Sequence, residues 1–462
     1  MTSLEADYLV IGAGAMGLAF VDTLLTETDA TVVLVDANHQ PGGHWTTAYP
    51  FVRLHQPSAY YGVNSRPLGS GLVDRDGWNA GFYELASVGE VLAYYDRVMR
   101  EHLLPTGRLD YRPMSQFLGD NRFRTLGGDE YTVEVRRRVV DATFLRTTVP
   151  SMRPHPFDVD TGVAVVTPND LPRRASDHDH FTIVGAGKTG MDTCLWLLRH
   201  GVGRDRLRWI MPRDSWLMNR ANVQPGADFA EQLGRAAKAR RGDVRAATSL
   251  SDLFDRLERS DTLWRIDPTV QPQMYHCAIV SAAELEQLRT VDDVVRLGHV
   301  ERVERHRIRL QDGVVPSNPA SLYVDCTASG LARPEPAPVF DRDAIRLQSV
   351  RGCQQVFSSA LIAHLESSGR DDETLNRLAV PVPHPDVPVD WLRIALSDNL
   401  AEVGWLRDPE LTRWLQTSRL NLLKDVFALV PADADGRAPI VQGVEKALGT
   451  MNERLVALLA GG

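Results

Sequence analysis

At 462 residues the chain exceeds one simple hydrophobic core and reads as two domains. Its 43% hydrophobic and 24% charged residues are those of an ordinary globular protein, which excludes a disordered chain, and a formal net charge of −9 argues against a nucleic-acid-binding surface. No apolar run approaches the roughly 20 residues of a bilayer span, and the first strand arrives by Asp7 with no room for a secretory leader, so the expectation is a cytoplasmic protein.

The run Tyr8-Leu9-Val10-Ile11 reads as a strand that stops at Gly12, and residues 15–25 carry helix formers with apolar positions at helical spacing. Between them lies Gly12-Ala13-Gly14-Ala15-Met16-Gly17, a G-x-G-x-x-G loop. Gly12 permits the turn, Gly14 lets a pyrophosphate approach the backbone, Gly17 lets helix pack on strand, and the helix N-terminus offers N–H groups to the phosphates. The run Thr31-Val32-Val33-Leu34-Val35 then ends in Asp36, 19 positions beyond Gly17. That is close to the roughly 20 expected of the acid that receives a ribose 2′-hydroxyl, and an acid there disfavours a 2′-phosphate. The first site therefore suits FAD or NAD.

Ser87-Val88-Gly89-Glu90 is a capping box, predicting a helix to about residue 104. Residues 122–126 and 130–144 alternate in strand fashion about Gly127-Gly128-Asp129, the pattern of a small antiparallel hairpin on the first domain. The polar stretch 173–180 reads as a linker.

His180-Phe181-Thr182-Ile183-Val184 leads into a second fingerprint, Gly185-Ala186-Gly187-Lys188-Thr189-Gly190. Residues 191–200 read as a helix that Gly201 ends, and 207–211 as the next strand. After it stands Arg213, where the first site has its acid. An arginine there pairs with a 2′-phosphate in bidentate fashion, which favours NADPH over NADH. Two such loops in one chain fit a flavoprotein that holds FAD at the first and a nicotinamide at the second.

Residues 227–290 are helical and irregular, longer than a nucleotide-binding half requires, and read as an insertion that either roofs a substrate cavity or packs its Trp264, Met274 and Tyr275 as core, the commoner outcome for apolar residues at this spacing, with His276 a packed histidine. Strands near 300–310 and 322–325 are expected to return the chain to the first domain. Residues 356–366 read as a helix opened by Ser358 or Ser359, and beyond Val389 the pattern stays helical. Cys194, Cys277, Cys326 and Cys353 form no C-x-x-C pair; they are expected to be reduced and structural, and no metal site is written. The expected fold class is α/β, with two Rossmann-like dinucleotide-binding domains in a glutathione-reductase-like arrangement. Residues 1–175 and 321–462 make the FAD domain and the C-terminal helical cover, and 176–320 make the inserted NAD(P) domain.

An acid, a short gap and then Gly42-Gly43-His44-Trp45 resembles the G-G-x-W segment of flavin-containing monooxygenases and their class B relatives. Tyr49-Pro50, Leu54-His55-Gln56-Pro57-Ser58-Ala59-Tyr60-Tyr61 and the second fingerprint extend the resemblance. Val324-Asp325-Cys326-Thr327-Ala328-Ser329-Gly330, similar to the group's returning A-T-G strand, carries it over most of the chain. The resemblance implies FAD at Gly12, Gly14, Gly17, Asp36, Gly43, His44, Trp45 and Asp325, with the helix of Ser358 aimed at the flavin. It implies NADPH at Gly185, Gly187, Lys188, Thr189, Gly190 and Arg213. Gly42 and Gly43 would turn the backbone against the flavin, and Trp45 either walls the ring or fills core.

The implied activity is oxygenation of a small molecule at a nitrogen, sulfur or carbonyl centre through a C4a-(hydro)peroxyflavin, with O2 as co-substrate. Asn64 is the nearest match to an asparagine that faces the flavin in that group, and Arg53, His55 and His44 are neighbouring candidates for electrostatic stabilisation or proton delivery. The group's F-x-G-x-x-x-H signature is missing before the second fingerprint, which keeps open an NAD(P)H–flavin dehydrogenase or oxidase that inserts no oxygen. A non-catalytic flavoprotein is a third reading. Small-molecule substrate and O2 are the expected partners, with neither nucleic acid nor membrane, and the sequence is compatible with a homodimer.

Overall fold

The strand read at residues 8–11 is the end of a longer one, β1 (Thr2–Ile11), whose last residues are buried on both faces, as a central parallel strand requires. A computed structural model describes residues 2–328, 330–335 and 337–461; Ser329 of the A-T-G-like segment lies outside them. From β1 the chain passes through the first glycine loop into α1 (Ala15–Glu27) and β2 (Val32–Val35), then to β3 (Leu109–Arg112) and β4 (Glu130–Asp141). The capping box is formed as read, opening the helix Val88–Arg97. The second fold starts with β5 (His180–Val184), α2 (Lys188–Arg199) and β6 (Leu207–Ile210). It continues through α3 (Ala230–Ala246), β7 (Met274–Val280), β8 (Asp293–Val295) and β9 (Ser321–Asp325). The chain then adds β10 (Ala344–Arg346), α4 (Gln355–Ser367), α5 (Val389–Arg407) and α6 (Ala434–Ala460).

The first sheet runs Phe340–Asp341, β10, β4, β1, β2, β3, and from β10 onward every pairing is parallel. The second runs β8, β6, β5, β9 and Val165–Val166, all parallel. Each glycine loop thus follows an interior strand of its own sheet. This is the α/β, two-Rossmann architecture expected, and parallel sheets of this kind place ligands beyond the C-terminal ends of their strands. Among the described residues no helix is long and apolar enough to cross a membrane.

Three local readings differ. The expected hairpin exists, Arg122, Phe123 and Arg124 pairing antiparallel with Thr132, Tyr131 and Glu130, but its second arm continues as β4 and becomes a central strand of the first sheet beside β1. Of the strands expected to lead back to the first fold, those at 300–310 form a small separate sheet with Gly313–Pro316 and Asp158–Val159, and that at 322–325 pairs with β5 in the second sheet; β10 is the strand that rejoins the first. The late helix opens at Gln355 rather than at Ser358 or Ser359, because Ser358 Oγ is turned inward, donating to the Gln354 carbonyl and accepting from the Val350 N–H.

Candidate active site

Both glycine loops are built alike. Gly12 and Gly185 hold φ of +105° and +121°, a region that L side chains avoid. A Cβ at Gly17 would lie 2.0 Å from the Gly12 carbonyl oxygen, and one at Gly190 2.1 Å from that of Gly185, so both helices touch their strands through backbone alone. No side chain caps α1 or α2, which leaves their first-turn N–H groups free for an anion. Gly43 lies against Gly14, where a Cβ would come within 2.9 Å of the Gly14 Cα, whereas a Cβ at Gly187 would meet nothing within 4 Å. At the end of β2, Asp36 accepts from the Ala13 N–H at 2.5 Å and the Asn38 N–H at 2.6 Å. Burial raises its pKa against those bonds. The residues at both loops thus fit dinucleotide phosphates, and Asp36 fits a ribose.

A cleft of about 1440 Å3 extends from Gly12, Gly14 and Asp36, past Gly43, His44 and Trp45, to Lys188 and Asp192. Pockets for one small ligand occupy roughly 300–1,000 Å3, so this space exceeds what a single small molecule needs. Trp45 belongs to the first hydrophobic core, as one of its two readings had it, and also borders the cleft, its Nε1–H donating to the Tyr61 hydroxyl at 2.7 Å. His44 lies beside it, its pKa pushed down to about 4 by burial. His55 also faces the cleft. Burial, with the Lys188 and Arg220 charges, pushes it down to about 3, and its Nδ1 takes the Ile279 N–H at 3.1 Å. A neutral ring that accepts at Nδ1 carries its proton on Nε2. Arg53 lines the same wall, donating to the Leu85 carbonyl.

The cleft meets the second loop at Lys188, which forms an ion pair with Asp192 one turn on; Asp192 in turn accepts from the Tyr49 hydroxyl at 2.7 Å. Thr189 sits in that first turn, its carbonyl taking the Thr193 hydroxyl.

Other predicted residues lie elsewhere. Asn64 is absent from the cleft wall; its Oδ1 accepts from Ser418, beneath the helix Pro409–Thr417, because the chain after Tyr61 turns away under the C-terminal cover. Ser358 is fully buried one turn inside α4, and it is Gln354, Gln355 and Val356 that border the cleft. Asp325 is fully buried at the end of β9, off the cleft wall, paired with His155 at 2.9 Å and bonded to Thr327. Arg213 pairs with Asp386 at 2.9 Å, and Arg333 and His276 converge on the same carboxylate. The Arg213 hydrogen bond holds that carboxyl well below the usual range.

Sequence reasoning missed Arg220. Fully buried, it pairs with Glu284 at 2.7 Å and donates to the His55 carbonyl, tying the cleft wall to the second fold. Ala230, Leu233, Ala237 and Arg240 of α3, within the insertion, line the cleft together with Trp391, Ile394 and Asp398 of α5. Cys277 and Cys353, expected to be reduced, form a disulfide in that wall, while Cys194 and Cys326 are free and buried. Their 76-residue separation gives no pairing motif; the two folds bring them together.

Residues 10–64 match the family described as NAD(P)-binding Rossmann-like domain. Over 79% of its length the chain resembles ε-caprolactone-bound cyclohexanone monooxygenase in its loose conformation, at a TM-score of 0.50 and 13% identity, covering 87% of that protein. Oxidized steroid monooxygenase bound to NADP aligns with 79% of the chain and 85% of its own, at 15% identity and a TM-score of 0.47. Likeness at that identity speaks for the fold alone. Uncharacterized proteins of Mycobacterium tuberculosis and Mycobacterium bovis are each 57% identical over 457 residues, 99% of this chain and 85% of the relative. The chain belongs to the same family as these mycobacterial proteins.

Proposed function

We propose that the protein is an FAD- and NADPH-dependent monooxygenase that oxygenates a small molecule. The observation that carries this reading is the single cleft joining the cradle at Gly12–Asp36 to the Lys188 end of the second cradle. Bound FAD would supply the redox chemistry, taking hydride from NADPH and giving electrons to O2. Everything else falls to the chain. The N–H groups of α1 would hold one pyrophosphate, Asp36 the adenosine ribose, and the N-terminus of α4, at Gln354 to Val356, would set a positive dipole end beside the ring. The Lys188–Asp192–Tyr49 chain would fix the nicotinamide side of the cleft, and His55 would present an N–H from Nε2 without charge. NADPH over NADH rests on the arginine that follows the second strand, Arg213, which would exchange its Asp386 partner for a 2′-phosphate.

The missing F-x-G-x-x-x-H signature keeps an oxidase as the second reading. Absorbance of the purified, FAD-loaded protein tests both. NADPH under nitrogen should bleach the flavin faster than NADH does, and readmitted air should restore it with oxygenated product in step with NADPH consumed. Stoichiometric hydrogen peroxide across a broad substrate panel would mean an oxidase; a protein that takes up no FAD would overturn both readings.

A further inference from the structure

The roofed end of the cleft contains four charged side chains that make no direct ion pair with one another. Arg240 stands on α3, Asp398 and Glu402 one turn apart on α5, and Arg351 just before α4, and all four line the cavity. Neither guanidinium has a side-chain hydrogen bond or ion pair among the described residues. Arg351 is only 6% exposed, stacks over Trp405 at 5.4 Å, and carries a buried Nη1 with no acceptor. Nearby, Gln354 has a buried Oε1 without a donor. An unpaired buried guanidinium donor is costly and cannot be relieved by losing its proton. Asp398 accepts from the Gly352 N–H at 2.9 Å, and burial raises its pKa against the pull of the Arg351 and Arg240 charges. Above it the walls are apolar: Trp391, Ile394 and Met451 face small residues of α3.

We propose that this pocket takes the substrate of the cleft as an apolar carboxylic acid, its carboxylate seated between Arg240 and Arg351 and its carbon chain running along α3 and α5. One carboxylate oxygen would satisfy the buried Arg351 Nη1, and the other would reach the exposed Arg240 guanidinium at the roof, a pairing that favours carboxylate over a neutral group. The substrate assignment rests on the flavin-enzyme reading of the cleft; the anion seat does not.

Calorimetric titration of the purified protein, with and without added FAD, tests it using hexanoate, 1-hexanol and hexylamine as matched probes. Hexanoate should bind roughly tenfold or more tighter than either of the others. Arg240→Met and Arg351→Met should each lose about that factor for hexanoate while 1-hexanol changes less than about twofold, and Arg240→Lys should recover part of the loss. Circular dichroism identifies a variant that has merely unfolded, in which case the other arginine variant decides. Hexylamine binding as well as hexanoate, hexanoate binding no tighter than 1-hexanol, no binding of any probe, or variants that keep full hexanoate affinity would each overturn the proposal. Because the calorimetry needs no turnover, a protein that takes up no FAD would sink the flavin reading and still report on the anion seat.

Discussion

A histidine partly shut off from water and placed beside two cations stays neutral, and the protein answers for that when acid is added. His55 has its pKa pushed down to about 3 by burial and by the Lys188 and Arg220 charges, and burial alone takes His44 to about 4. In the unfolded chain each would bind a proton near 6.5. The unfolded state therefore holds more protons below that value. The stability each neutral ring contributes is complete above about pH 6.5 and is lost as pH falls toward the folded value, at about 1.4 kcal/mol per pH unit per proton. Urea unfolding between about pH 7 and pH 4.5 should show stability falling steeply with acid, and His55→Gln should flatten the slope by about one proton's share. An unchanged slope in that variant would mean the ring is already protonated in the folded protein. What the sequence made legible at this scale were residues with local backbone duties: the glycines and Asp36 keep fixed spacing because strand, turn and helix impose it. Asn64 and Asp325 were misplaced because their surroundings come from residues far away in the chain, Ser418 in one case and His155 in the other.

Among the elements, periodicity found the helices and strands but not their partners. Residues 130–141 alternate like a hairpin arm, yet the same strand pairs along β1 and becomes central, since one strand can bond antiparallel at its start and parallel along its length. The insertion was legible as an excess of helix, but the charged quartet was not, because Arg240, Arg351 and Asp398 are separated by long stretches of chain. The same holds for the disulfide, which ties β7 to the turn before α4 across the cleft wall. Closing a loop of 76 residues is worth about 4 kcal/mol in the chain-entropy account. Thiol labelling with a maleimide should find no reactive cysteine in the untreated native protein, because the two free thiols are buried and burial raises their pKa. Mild reduction should expose two, at Cys277 and Cys353, and lower the thermal midpoint. Labelling of either residue before reduction would mean the bond is not formed in solution.

At the scale of the whole molecule, two copies of one strand, glycine-loop and helix device are set on separate sheets, the first lining the cleft and the second reaching it at Lys188, so the two should fail separately. A methyl group at Gly17 meets the Gly12 carbonyl and one at Gly190 meets the Gly185 carbonyl, in both cases at about 2 Å from backbone that cannot swing aside. Gly17→Ala should therefore purify colourless, with FAD affinity down by roughly a hundredfold or more and little response to NADPH. Gly190→Ala has an intact first loop; it should purify yellow, bleach with dithionite under nitrogen, and bleach far more slowly with NADPH than the parent does. The contrast rests on α1 packing in the first core and α2 in the second, which confines each distortion to its own sheet. If Gly190→Ala loses FAD as readily as Gly17→Ala, the two folds unfold as one cooperative unit. If it is reduced by NADPH at the parent's rate, the second loop does not hold the nicotinamide nucleotide, and the cleft's Lys188 end must serve another ligand.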